Sequence, residues 1–182
     1  IRSNKENLKK SPKVTFMGRP NVGKSTLVNA LLGKEVVITS DIAGTTRDST
    51  DNILKWEEYE IELTLTDTAG IRRRGKQQIG AEKFSVINAV SQIAYSDLIV
   101  LVVDSREGVT RGDVHVLESI RLKNRPVIVA YNKSDQIEPG EEIFTRFGHF
   151  SKQESVVVSA LTGEGIADLK QLIVAKLKNL PN

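Results

Sequence analysis

The chain has 182 residues, of which 39% are hydrophobic, enough to bury one core without disulfides or metal. Its 26 basic and 23 acidic residues leave a net charge of +3, which permits an anionic partner but does not by itself indicate a nucleic-acid-binding protein. The absence of cysteine excludes disulfides and thiolate metal sites. The longest apolar run, 98–103, is far shorter than the roughly 20 residues that a bilayer requires, so we expect no membrane partner.

The chain divides into a central domain and two short flanks. Residues 1–12 are polar and contain no apolar signal core, so we interpret them as an interdomain linker. The domain itself covers 13–178.

Short apolar runs alternate with amphipathic stretches, a pattern typical of an α/β domain with a mostly parallel sheet. Runs without alternation predict central strands covered on both faces: 13–17, 97–104, 125–132 and 154–160. The run 59–67 alternates instead and is expected to pair with a strand near 50–56. The predicted helices are 24–32, 81–94, 111–123, 140–148 and 165–178.

The stretch "GRPNVGKS", 18–25, directly follows the first strand and begins the first helix, which is the context that a phosphate-binding loop requires. Its backbone N–H groups and the helix N-terminus are expected to hold phosphate oxygens. Lys24 would reach the β and γ phosphates, and the Ser25 hydroxyl would ligate Mg²⁺. The residues predicted to line this part of the pocket are Gly18, Arg19, Pro20, Asn21, Val22, Gly23, Lys24, Ser25 and Thr26.

Two later segments are expected to sense the γ-phosphate. In "DTAG", 67–70, Asp67 would hold Mg²⁺ through a water and the Gly70 N–H would contact the γ-phosphate. Thr68, Ala69 and Ile71 would line the same part of the pocket. In "SDIAGTTRD", 40–48, either Thr45 or Thr46 could close onto Mg²⁺, and we favour Thr46.

The stretch "NKSD", 132–135, ends a buried strand at the sheet edge where ligands bind in such folds. Asp135 could accept hydrogen bonds from guanine N1–H and its amino group, a pattern that adenine lacks. Asn132 would contact the other edge of the base and tie this loop to the phosphate loop, and Lys133 would pack along the purine beside Ser134. Backbone N–H groups of Ser159, Ala160 and Leu161 could meet the guanine oxygen.

Ile71 stands where many GTP-hydrolysing proteins carry a water-orienting glutamine. The chain therefore either hydrolyses GTP by another route or is an RNA-docking module that binds GTP with negligible turnover. The intact set of Ser25, Thr46 and Asp67 favours hydrolysis. The cations that follow could form a solvated face, or a contact with RNA or an acidic partner that senses the nucleotide state: Arg72, Arg73, Arg74, Lys76 and Lys83.

Together, "GRPNVGKS", "SDIAGTTRD", "DTAGIRRRGK", "EKFSV", "NKSD" and "SALTGEG" resemble the second of two G domains in the Der (EngA) family of bacterial ribosome-assembly GTPases. The resemblance implies a Ras-like P-loop NTPase domain with a six-stranded sheet in the order 2-3-1-4-5-6. It also implies GTP or GDP and Mg²⁺ as ligands. The tRNA-modification GTPase family that includes MnmE shares the "GTTRD" loop and is the alternative within the class.

The resemblance further implies a cytoplasmic location and three partners: the large ribosomal subunit with its rRNA, a companion G domain and a KH-like domain. Residues 179–182 would then be the start of the connection to the KH-like domain. No DNA partner is implied. In Der-like and MnmE-like proteins an asparagine at the position of Asn21 helps to hold K⁺, with carbonyls near 38–44 closing the site. We therefore expect slow hydrolysis that K⁺ stimulates, with Asn21, Lys24, Thr46, Asp67 and Gly70 as the catalytic set.

Overall fold

A computed structural model describes residues 11–33, 37–38, 52–66, 86–141, 150 and 152–181. The strands are β1 (Lys13–Met17), β2 (Val37–Ile38), β3 (Asn52–Trp56), β4 (Ile61–Thr66), β5 (Leu98–Asp104), β6 (Val127–Asn132) and β7 (Ser155–Val157). The helices are α1 (Lys24–Leu32), α2 (Val86–Tyr95), α3 (Arg111–Leu122) and α4 (Ile166–Lys178). Short 3₁₀ turns occupy Glu57–Tyr59 and Ser134–Gln136.

One sheet contains all of these strands in the order β2-β3-β4-β1-β5-β6-β7. Pairings from β4 through β7 are parallel, whereas β2–β3 and β3–β4 are antiparallel. Without the two-residue β2, the remaining six strands follow the expected order 2-3-1-4-5-6. The Ras-like α/β fold is thus confirmed, with β2 as a short addition at the edge.

The two faces of the sheet carry separate hydrophobic cores, because successive side chains of a strand point to opposite faces. In β5, Leu98, Val100 and Val102 belong to the core that also contains buried residues of α1 and α4. The alternate residues of β5 pack in the second core with residues of α2 and α3. Every residue of β5 and of β6 is buried, as the uninterrupted apolar runs predicted. The run 154–160 was also expected to form a central strand, but β7 lies at the end of the described sheet and its residues are exposed or half-buried, so that prediction was wrong.

The helix boundaries agree closely with the sequence pattern. Helices α1, α3 and α4 begin and end within one residue of their predicted ends, and α2 is described from Val86 onwards. Helix α3 begins with a capping box, in which the Asp113 N–H donates to Thr110 and the Thr110 N–H donates to Asp113. The helix predicted at 140–148 lies almost wholly outside the described residues. Within the described part of the chain, none of the helices has the length and apolar character needed to span a membrane.

Candidate nucleotide-binding site

The predicted phosphate and guanine motifs meet at one edge of the sheet. Parallel strands β1, β5 and β6 all end there, so the turns that follow them are neighbours. The first of these turns is the phosphate loop 18–23, which connects β1 to α1. This is the edge at which open α/β sheets bind ligands.

The phosphate loop is shaped by close backbone approaches. A Cβ at Gly18 would lie 2.6 Å from the Val102 carbonyl oxygen, and one at Gly23 would lie 2.4 Å from Asn132 Nδ2. Gly23 also has φ = +92°, a backbone angle that residues with a Cβ rarely adopt. Both glycines are therefore required by the contact between this loop and the strands behind it.

The side chains of the loop divide into buried and exposed members. Val22 is buried in the core with α1, whereas Pro20, Asn21, Ser25 and Thr26 are exposed. These exposed groups surround the N-terminal end of α1, which carries a partial positive charge. The arrangement suits an anionic ligand with a cation beside it.

Lys24, at the first turn of α1, donates through Nζ to the Gly18 carbonyl at 2.8 Å. The ammonium group therefore already lies over the phosphate loop. This bond keeps the ammonium beside the loop whose N–H groups are expected to hold phosphate oxygens.

Arg19 connects the phosphate loop to α3. Its Nε donates to Asp113 at 3.1 Å and its Nη1 donates to Glu107 at 3.0 Å. Burial lowers the pKa of Arg19, but the hydrogen bonds to Asp113 and Glu107 outweigh it and raise that pKa. Asp113 is fully buried and also caps α3, and the sequence motif does not reveal this partner. The predicted place of Arg19 in the nucleotide pocket stays a prediction.

Asn132 ties the guanine loop to the phosphate loop, as its position in the sequence predicted. Its Nδ2 donates to the Val22 carbonyl at 3.0 Å, and its Oδ1 accepts from the Ala160 N–H at 3.1 Å. Asn132 is 2% exposed. One buried amide therefore joins three segments: the phosphate loop, the end of β6 and the turn after β7.

Lys133 makes a second connection to the phosphate loop. Its Nζ donates to the Asn21 carbonyl at 2.7 Å and to Asp104 Oδ2 at 2.9 Å. The sequence motifs did not include Asp104, which ends β5. The sequence feature that could have indicated Asp104 is its position: a carboxylate at the end of a wholly apolar strand, beside the strand that ends in "NKSD".

Asp104 is buried, and burial alone would raise its pKa. Hydrogen bonds from Arg106 and Lys133 outweigh burial and lower the pKa of Asp104 to about 2. The Arg106 backbone N–H donates at 2.9 Å and its Nη2 at 3.1 Å. The carboxylate is therefore ionised throughout the physiological range.

Asp135 is exposed, and its Oδ1 accepts from the Ser159 hydroxyl at 2.7 Å. The same hydroxyl accepts from the Thr162 N–H at 3.1 Å, and the Ser134 hydroxyl donates to Glu164 at 3.1 Å. These bonds join the turn after β6 to the turn after β7. Leu161, in the latter turn, is 78% exposed.

Several predicted site residues lie outside the described residues: Thr46, Asp67, Thr68, Ala69, Gly70 and Ile71. The basic cluster lies outside them too: Arg72, Arg73, Arg74, Lys76 and Lys83. Their predicted roles in Mg²⁺ binding, γ-phosphate sensing and partner contact therefore stay predictions. The described part of the site comprises the phosphate loop and the guanine loops.

Residues 13–133 match the family described as "50S ribosome-binding GTPase". The chain belongs to this family. It is therefore a GTP-binding domain of a GTPase, as "GRPNVGKS" and "NKSD" predicted.

Curated relatives carry the predicted family name. GTPase Der of Lachnospira eligens is 38% identical over 170 residues, which cover 89% of this chain and 38% of that protein. GTPase Der of Azotobacter vinelandii is 40% identical over 175 residues, which cover 92% of this chain and 35% of that protein. The chain thus spans little more than a third of each relative, in agreement with one G domain of a Der protein.

A solved structure confirms the fold independently. Era in complex with MgGDPNP and nucleotides 1506–1542 of 16S ribosomal RNA is 32% identical, with a TM-score of 0.69. The similarity covers 95% of this chain and 58% of that chain.

Proposed function

We propose that this chain is a GTP-hydrolysing switch domain that requires Mg²⁺, is stimulated by K⁺ and acts in assembly of the large ribosomal subunit. The observation that carries the nucleotide part is the junction of phosphate and guanine loops through Asn132 and Lys133. The family description and the relatives named GTPase Der support hydrolysis and the ribosomal role. They favour this role over the alternative of a tRNA-modification GTPase.

Guanine selection would depend on Asp135. The Ser159 hydroxyl donates to one of its oxygens and so fixes the direction of the carboxylate. Guanine N1–H and its amino group can both donate to such a carboxylate, whereas adenine cannot. The Ala160 N–H already donates to Asn132, so contact with the guanine oxygen would require sharing that donor or using another N–H of the turn.

The described phosphate loop fits a triphosphate with Mg²⁺. Its glycines leave no room for a Cβ at two positions, and Lys24 donates to the Gly18 carbonyl of the loop. The exposed Ser25 lies in the first turn of α1. Ser25, together with Thr46 and with Asp67 through a water, would hold Mg²⁺. The ion would neutralise charge on the β and γ phosphates.

Hydrolysis would proceed without a glutamine at Ile71. The Thr46 and Gly70 backbones would place the water, and Lys24 would stabilise the negative charge that develops between the β and γ phosphates. Asn21 is exposed at the phosphate loop, where its side-chain oxygen could help to hold K⁺. A cation at that position supplies the charge that an arginine finger supplies elsewhere.

Phosphate release from GTP and from ATP by the purified chain tests this proposal. We expect slow turnover of GTP alone. Asp135→Asn should weaken GTP binding and favour xanthosine triphosphate, because the amide can donate to the xanthine C2 oxygen. Glu138→Gln, an exposed acid-to-amide change on the same loop, should behave as the wild type.

Two results would count against the proposal. GTP binding without phosphate release in KCl or in NaCl would support the RNA-docking module instead. A preference of Asp135→Asn for GTP over the xanthine nucleotide would show that the base does not lie against Asp135.

The proposed ribosomal role has to be tested in a longer protein that also contains the expected companion domains. We expect a companion G domain and a KH-like domain in it, and large-subunit rRNA as the cytoplasmic partner. Replacing Arg72, Arg73 and Arg74 with alanine should leave GTP affinity near normal and weaken co-sedimentation with large subunits. Added salt should weaken that interaction in the wild type, because phosphate contacts release counterions. Unaltered co-sedimentation of the triple variant would indicate that these arginines form a solvated face and do not contact the ribosome.

A further inference from the structure

A carboxylate outside the predicted motifs lies behind the guanine loop. Asp104 is 1% exposed, and its Oδ2 lies 2.9 Å from Lys133 Nζ. The same ammonium donates to the Asn21 carbonyl at 2.7 Å. One lysine therefore bridges the end of β5 and the phosphate loop, with a buried anion behind it.

The backbone at both ends of that bridge is strained. Asn21 and Lys133 each have φ = +66°, and they are two of only four non-glycine residues with positive φ in the described part of the chain. Such conformations are unfavourable for residues with a Cβ and persist only where surrounding contacts hold them. The Lys133–Asn21 hydrogen bond is one of those contacts, so the position of the Lys133 ammonium matters to both loops.

Asp104 determines where that ammonium lies. The Lys133 side chain is 21% exposed, so water solvates it only in part, and a buried anion at 2.9 Å compensates for the lost solvation. Arg106 also pairs with Asp104, but its side chain is 47% exposed and can be solvated without the carboxylate. Loss of Asp104 should therefore affect Lys133 more than Arg106.

We propose that Asp104 is a positioning residue for nucleotide retention, which acts by holding Lys133 against the Asn21 carbonyl. This inference rests on the proposed binding of a guanine nucleotide at these loops. With the carboxylate present, the bond from Lys133 to the Asn21 carbonyl keeps the guanine loop and the phosphate loop joined. Without it, the ammonium moves toward solvent or phosphate and the loops separate more readily, so nucleotide leaves faster.

Release of a fluorescent GDP analogue, mant-GDP, from the 182-residue chain measures this effect directly. Asp104→Asn keeps the size of the side chain and can still accept from the Arg106 N–H, but it removes the charge that faces Lys133. We expect release at least about tenfold faster than in the wild type, as for loss of a hydrogen bond between charged groups. Glu118→Gln, an exposed change on α3, is the control and should release at the wild-type rate.

A double-mutant cycle separates positioning from general destabilisation. Lys133→Met keeps the aliphatic stem along the purine and removes the donor, so it should also accelerate release. If Asp104 acts through Lys133, the double variant should release no faster than Lys133→Met alone. Fully multiplicative effects of the two changes would overturn the proposal, as would wild-type release from a folded Asp104→Asn variant.

If Asp104→Asn does not fold, Lys133→Met and Arg106→Met decide the question. Positioning of Lys133 predicts faster release only in Lys133→Met. Equal acceleration in both, or in neither, would overturn it. Failure of the wild-type chain to bind mant-GDP would instead contradict the proposed function, so the two failures are distinguishable.

Discussion

The two halves of the site obtain their shape by different means. On the guanine side, the side chains of Asn132, Lys133 and Asp135 each bond to another segment of the chain. On the phosphate side, backbone approaches without room for a Cβ determine the loop. Each side-chain truncation on the guanine side should therefore remove one bond and weaken nucleotide binding only in part. One added methyl group on the phosphate side should disrupt the whole loop.

Gly23→Ala should give the largest effect, because Gly23 is where the two halves touch. The added Cβ would lie 2.4 Å from Asn132 Nδ2, at a φ of +92° that alanine rarely adopts. We expect mant-GDP affinity to fall by at least about 100-fold as the Asn132–Val22 bond is displaced, a loss near 3 kcal/mol. A fluorescence titration measures it.

Gly140→Ala is the matched control for that change. Gly140 has a similar φ of +87°, but a Cβ there meets nothing within 4 Å. This variant should carry the conformational cost alone and keep its nucleotide affinity. Equal losses in both variants would mean that backbone strain, rather than the contact between the loops, is responsible.

Lys24→Ala and Ser25→Ala should give the next largest losses. The first removes the ammonium that lies over the phosphate loop and the second removes a predicted Mg²⁺ ligand. Each should weaken GTP binding in Mg²⁺ by about 10- to 100-fold. Lys123→Ala, an exposed change just after α3, should bind as the wild type. Without Mg²⁺, the Ser25→Ala loss should largely disappear, which a calorimetric titration in EDTA can check.

The choice of monovalent salt should have a smaller effect, confined to hydrolysis. If Asn21 helps to hold K⁺, turnover should be higher in KCl than in NaCl at equal ionic strength, and Asn21→Ala should reduce that ratio toward one. Phosphate release under saturating GTP is the measurement. Identical turnover of the wild type in the two salts would contradict a potassium site.

A separate effect, on folding stability rather than on nucleotide binding, concerns pH. The pKa of Asp104 is lowered from 3.8 to about 2, so its stabilising contribution is fully present above pH 4 and is lost as the pH falls through about 2. This contribution is at most about 2 kcal/mol, and less where the half-exposed Arg106 is screened by solvent. The stability difference between wild type and Asp104→Asn should therefore shrink below pH 4 in urea unfolding. A difference that stays constant down to pH 2.5 would assign the loss to packing.

The sequence predicted the fold well, because apolar runs and helical spacing are local properties. Uninterrupted apolar runs identified β5 and β6 as central strands, and the alternating stretch that became β4 does pair with β3. The two-residue β2 was not predicted, since two residues have no measurable period. Motif spacing also predicted that Asn132 would tie the two loops together.

The missed parts of the site are contacts between residues far apart in the chain. Asp104 meets Lys133 across 29 positions, and Arg19 meets Asp113 across 94. Nothing in either local pattern indicates which cation faces which anion, because that depends on the strand order and on how α3 packs. A carboxylate at the end of a buried strand was visible in the sequence, but its partner was not.

The hydrogen bond from Lys24 to the Gly18 carbonyl has a consequence for which anions the loop accepts. A ligand that draws the ammonium away has to replace at least the bond to this neutral carbonyl at 2.8 Å. Chloride and other weakly coordinating monoanions offer one diffuse charge, whereas a polyphosphate offers several oxygens together. We therefore expect a polyphosphate to draw this ammonium away from the Gly18 carbonyl more readily than a monoanion does.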